Sequence, residues 1–169
     1  VLFRSPRESR YVLAKTNATL EIWDHGAIKP TRILSGHGKA VGSEVEGRSV
    51  KWLTFHPQGK QLATGLDDGT ICTWNPDTGE YLSSWKGHDS PILSLAYSPD
   101  GTRLASISNE NKTLKIWNTK TAELVRSIPL VTFSFRLSWN KNATRIVSGT
   151  SDFQSIVIDI TSGKTIFGL

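Results

Sequence analysis

The chain has 169 residues, 37% of them hydrophobic and 21% charged, with a formal net charge of +5. That balance excludes a disordered chain, and the length is enough for a sizeable core. No apolar run approaches the roughly 18 residues of a membrane span, and the single cysteine, Cys72, excludes an internal disulfide framework and suits a reducing compartment, cytoplasmic or nuclear.

The N-terminal segment differs from the rest. Arg4, Arg7, Arg10 and Lys15 face only Glu8, whereas acids and bases nearly balance beyond it. The body therefore lacks the clustered basic stripe of an electrostatic nucleic-acid surface. VLFRS lacks the apolar core of a signal peptide. Val1–Ser5 match what a common sequencing-adapter oligonucleotide encodes in one frame, and the chain contains no methionine. Residues 1–10 are accordingly expected to be non-native or disordered, and the chain a fragment of a longer reading frame.

From Tyr11 onward the chain divides into units of roughly forty residues, about 11–37, 38–88, 89–130 and 131–169, a period that signals repeat architecture. The first unit begins at what should be its second strand. The second unit predicts strands at Val50–Phe55, Gln61–Thr64, Thr70–Asn75 and Tyr81–Trp85, broken at Pro57-Gln58-Gly59, Asp67-Asp68-Gly69 and Asp77-Thr78-Gly79. Proline fixes φ, glycine supplies positive φ and aspartate bonds its own backbone, so each break has turn chemistry. The third unit repeats the scheme at Ile92–Tyr97, Arg103–Ser106, Thr113–Asn118 and Leu124–Pro129. The fourth follows at Phe133–Trp139, Arg145–Ser148, Ser155–Asp159 and Lys164–Gly168. Helical periodicity is nowhere convincing.

His88, Asp89 and Ser90 together supply the residue types of a hydrolase triad, but adjacency does not make one. Recurrence decides the matter. Gly36-His37 precedes Gly87-His88 by 51 residues, and Phe55-His56-Pro57-Gln58-Gly59 precedes Tyr97-Ser98-Pro99-Asp100-Gly101 by 42. Trp139-Asn140-Lys141-Asn142-Ala143 is a degenerate third copy. Trp23, Trp74 and Trp117 each end an apolar run, with Ile158 at the next place. A catalytic group is needed once per domain and a structural motif once per repeat, so His88 is read as architectural.

Gly-His, aromatic-Ser-Pro-Asp-Gly, Leu-Ala-Ser and Ile-Trp-Asn at these intervals resemble WD40 repeats, over about residues 11–168. The resemblance implies an all-β fold, a β-propeller of four-stranded antiparallel blades, here incomplete because such propellers most often close with about seven. It also implies a buried tetrad in each blade: His37, Thr64, Asp68 and Trp74 in the second unit, and His88, Ser106, Asn111 and Trp117 in the third. In the fourth unit Ser148 and Asp152 remain, with Leu130 and Ile158 replacing histidine and tryptophan. Exchanging both partners of a buried hydrogen bond for apolar groups can be nearly neutral. In the first unit only Trp23 and Asn17 match.

The four histidines show no metal-ligand spacing, and the chain has no glycine-rich phosphate loop. Sequons at Asn17, Asn111 and Asn142 are read as by-products of Asp-to-Asn exchange in the repeat pattern and of its turn. Phe55 lies 18 residues after His37 whereas Tyr97 lies 9 after His88, so the second unit carries an insertion. Its glycines, serines and mixed charge suggest an exposed loop, and Lys39, Glu44, Glu46 and Arg48 are its candidate partner contacts. The expected function is a non-catalytic scaffold that binds other proteins in a multiprotein complex, with no cofactor, metal, membrane or small-molecule substrate. Two alternatives stay open. One is a propeller of RNA processing or chromatin that contacts nucleic acid; the other is a propeller enzyme whose site lies in a missing part.

Overall fold

A computed structural model of the chain describes residues 2–5, 9–15, 19–35, 37, 48–108 and 112–167. These form four antiparallel sheets of four strands, each a meander in chain order. The first sheet holds β1 (Leu2–Arg4), β2 (Arg10–Ala14), β3 (Leu20–Asp24) and β4 (Arg32–Leu34). The second holds β5 (Val50–Phe55), β6 (Leu62–Leu66), β7 (Thr70–Trp74) and β8 (Tyr81–Lys86). The third holds β9 (Ile92–Tyr97), β10 (Arg103–Ser108), β11 (Thr113–Asn118) and β12 (Leu124–Pro129). The fourth holds β13 (Ser134–Trp139), β14 (Arg145–Thr150), β15 (Ser155–Asp159) and β16 (Thr165–Phe167). The described residues include no helix, hence none long and apolar enough to cross a membrane.

The sheets stack face to face in chain order, with neighbouring first strands side by side. Alternation along each strand sends apolar residues to both faces, so every interface between sheets becomes a core. Val12, Leu20 and Ile22 of the first sheet meet Leu53, Leu62 and Trp74 of the second. Ala63 and Ile71 of the second meet Leu95, Leu104 and Trp117 of the third. Ala105, Leu114 and Ile116 of the third meet Leu137, Ile146 and Ile158 of the fourth. Each fully buried side chain of this kind contributes about 1.5–3 kcal/mol.

Hydrogen bonds across the interfaces fix how adjacent sheets sit. The Trp52 indole donates to the Leu95 carbonyl at 3.0 Å, and the Trp139 indole to that of Ala96 at 2.9 Å. The Leu137 amide donates to Ser94 Oγ at 3.1 Å. Between the first two sheets, the Arg10 guanidinium reaches both Asp24 (2.8 Å) and Asp77 (2.6 Å). That hydrogen bond holds the Asp24 carboxyl below its usual range.

Two differences from the predicted strands have physical causes. The second strand of the last three units continues past its Leu-Ala-Ser-type core, to Leu66, Ser108 and Thr150. A strand paired on both sides keeps gaining bonds: after a bulge, Leu66 still pairs with Val50, Ser108 with Ile92 and Thr150 with Ser134. The first unit, expected to begin at its second strand, has an inner strand after all. Leu2–Arg4 of the segment expected to be disordered pairs with Tyr11–Leu13, because a free strand edge offers its hydrogen bonds to any extended segment within reach.

Candidate interaction surface

The third unit shows how the loops are anchored. Thr113–Asn118 brings Trp117 opposite the second strand, where its indole donates to Ser106 Oγ at 2.8 Å. His88, just before β9, places Nε2 2.7 Å from the same oxygen and is 1% exposed. Burial, reinforced by the nearby Lys115 ammonium, pushes the His88 pKa down to about 4, so the ring is neutral. Its Nδ1 is buried with no hydrogen-bond partner among the described residues; Asn111 lies outside them. Ser106 and His88 are both fully buried, so neither side chain of this pair is open to a substrate.

In the second unit the Trp74 indole donates to Thr64 Oγ1 at 3.2 Å, and the His37 ring lies against Trp74 with centroids 4.5 Å apart. Asp68 turns elsewhere: its carboxylate accepts from the Thr70 amide and hydroxyl, both at 2.9 Å, and pairs with Arg48 Nε at 3.2 Å. In the fourth unit Leu130 and Ile158 lie in one apolar cluster, and Ser148 donates to the Gly149 carbonyl. In the first, the Trp23 indole donates to Glu21, while Asn17 lies outside the described residues. Trp23 and Tyr11 line an open hollow of about 340 Å³ on the outer face of the first sheet.

Of the loop candidates, Lys39, Glu44 and Glu46 lie outside the described residues. Arg48 is described, and its guanidinium turns inward to Asp68.

The hairpin turn after each second strand carries a signal that sequence reasoning missed. In the second unit Gly69 takes φ 84°, and a Cβ there would run into the His88 carbonyl. Lys112 fills the corresponding place in the third unit with φ 40°, and Phe153 in the fourth with φ 63°. The structural alignment is direct: Gly69 N donates to Leu66 O and Phe153 N to Thr150 O, each at 3.2 Å. Superposing the turns, with the one-residue insertion in the third unit, would have shown a phenylalanine and a lysine in a glycine position. Aromatic and basic groups also meet on the first strands, where the Arg136 guanidinium lies 5.5 Å above the Trp52 ring. Phe133 and Phe135 are exposed beside it in sequence.

Comparison with known proteins agrees with this architecture. The family model described as "WD domain, G-beta repeat" matches residues 28–75 and 79–118. Eukaryotic translation initiation factor 3 subunit I of Aspergillus fumigatus is 30% identical over 138 residues, 79% of this chain and 38% of the relative. The coronin-like protein of Saccharomyces cerevisiae is 30% identical over 72% of the chain and 17% of its own length. Pre-mRNA-processing factor 19 of Schizosaccharomyces pombe is 27% identical over 67% of the chain and 23% of its own length. The chain thus spans well under half the length of these relatives.

Proposed function

The chain belongs to the WD40-repeat family, and on that footing we propose that it is a non-catalytic scaffold binding other proteins within a multiprotein complex, in the cytoplasm or nucleus. The carrying observation is the division between buried and displayed groups. His88, the most chemically suggestive side chain, is buried and bonded to Ser106, whereas exposed aromatic and basic side chains stand on turns and first strands. Rigid sheets that hold such groups at fixed spacing are suited to recognition. A relative named as a subunit of an initiation factor supports an assembling role. The nucleic-acid alternative draws on a relative named as a pre-mRNA-processing factor. It is disfavoured by Arg10, whose charge is engaged by Asp24 and Asp77.

The test is to purify the tagged full-length protein from its own cells and ask what accompanies it in stoichiometric amounts. Partners resisting high salt and nuclease are expected. Replacing residues 38–49 with a connection as short as the one after His88 should remove the partners held by the inserted loop. A protein that purifies alone would overturn the reading, as would a hydrolase activity lost in His88→Ala with thermal unfolding unchanged.

A further inference from the structure

The first strands of the last three sheets carry the same bulge. Val50 pairs with Leu66 and Trp52 with Gly65, which leaves Lys51 outside the ladder. Leu93 is set out in the same way between Ile92 and Ser94, and Phe135 between Ser134 and Arg136. A bulge re-aims its side chains. Lys51 and Arg136 are exposed, and Phe135 is 48% exposed. β5, β9 and β13 each pair on one side only and lie side by side, so their open edges form one wall. On that wall the second and fourth sheets meet across the third. The Trp52 indole donates to the Leu95 carbonyl of β9, and the Arg136 guanidinium lies 5.5 Å above the Trp52 ring. Arg136 is thereby brought to the residue next to Lys51.

These two cations have no acid on their own strands. β5, β9 and β13, and β6, β10 and β14 beside them, contain no aspartate or glutamate. Among the described residues no ion pair engages Lys51 or Arg136. On the adjoining turns Asp67 accepts from Ser49, Asp68 pairs with Arg48 and Asp152 accepts the Thr150 hydroxyl. An arginine stacked on an aromatic face keeps the edge of its N–H fork open, and that fork matches a carboxylate. Resting on the scaffold reading, we propose that Arg136, Lys51 and Phe135 bind an acidic segment of a partner protein. A carboxylate sits in the Arg136 fork with Lys51 beside it, and an apolar side chain packs on Phe135. Single-stranded nucleic acid fits less well, since it needs a run of cations tracking its phosphates. At the equivalent bulge between them, β9 has Leu93.

The probe is a pool of fluorescein-labelled short peptides in which one Leu or Phe is flanked by Asp and Glu. A control pool carries Asn and Gln in place of the acids. Full-length protein is expected to bind the acidic pool selectively by fluorescence anisotropy. Arg136→Gln should weaken that binding by about ten- to a hundredfold, the range for hydrogen bonds to a charged group. Its melting temperature should stay within about 4 °C of the parent's, since the side chain is exposed. Arg136→Lys, which keeps the charge and loses the fork, should weaken binding several-fold. Lys51→Gln should do the same and flatten the salt dependence. Equal binding of both pools, or affinity unchanged in Arg136→Gln, would overturn the proposal. So would competition by oligouridine that also depends on Arg136. Tighter binding when Glu44 and Glu46 are both replaced with Gln would overturn it too, because the protein's own acids would then already cover the site. If Arg136→Gln retains every stoichiometric partner and the peptides fail to bind, this site is wrong while the scaffold reading stands.

Discussion

Acidification should destabilise this protein through His88 in a pH window that a single substitution largely removes. The ring is buried, bonded to Ser106 Oγ at 2.7 Å, and titrates at about 4 rather than the ordinary 6.5 because burial and then Lys115 oppose its charge. Between those values the unfolded chain takes up a proton that the folded one refuses. Stability is therefore fully present above pH 6.5 and declines as pH falls toward 4, by up to about 1.4 kcal/mol per pH unit. Over the window the loss is about 3 kcal/mol, a large part of the roughly 5–15 kcal/mol that holds a domain folded. His56, also pushed down by burial, adds a slope of the same sign. Asp24, Asp100 and Asp159 are all held below 3.8, so the stability they add is lost only below that value. In His88→Leu, which copies Leu130 of the fourth unit and leaves Trp117 on Ser106, about 1 kcal/mol should be lost at neutral pH with the His88–Ser106 bond. The decline on acidification should shrink to what His56 supplies. Urea unfolding followed by tryptophan fluorescence from about pH 7 to pH 4.5 measures both. Equal pH slopes in the two proteins would refute the assignment.

Two further substitutions and labels test the packing. Gly69→Ala should cost about 3 kcal/mol or more, because left-handed strain adds to a collision with the His88 carbonyl. Gly26→Ala at φ 80°, with open space around it, should cost only about 1–2 kcal/mol by urea unfolding. The Cys72 thiol, pushed up to about 12 chiefly by burial and then by Asp68, should react with a thiol reagent at neutral pH about a thousandfold more slowly in the folded than in the unfolded protein. A comparable rate in both states would mean that this core opens readily.

Strand positions were largely legible because each repeat writes its own punctuation. Val50–Phe55, Ile92–Tyr97, Thr113–Asn118, Leu124–Pro129 and Ser155–Asp159 coincide with the observed strands. The apolar replacement at Leu130 and Ile158 was also readable, since both members of one buried pair changed together. The length of the second strands was hidden, because a bulge lets pairing outlast the motif. Bonds between sheets, such as Trp52 to the Leu95 carbonyl, depend on how two repeats stack, and periodicity within one repeat carries no record of that. Phe153 escaped notice for a related reason: its strain lies in a dihedral angle, not in a pattern of polarity.

The row Val147, Val157 and Ile166 crosses the outer face of the fourth sheet, with Val147 and Ile166 open to water. The matching row of the third sheet, Ala105 and Ile116, is sealed beneath the fourth. Sheets in such a stack share their stability with nearest neighbours alone. The second and third sheets are packed on both faces, so each depends on two neighbours at once. A mutation at one interface is therefore felt by both sheets it joins, and one that loosens the second or third sheet removes support from two neighbours together.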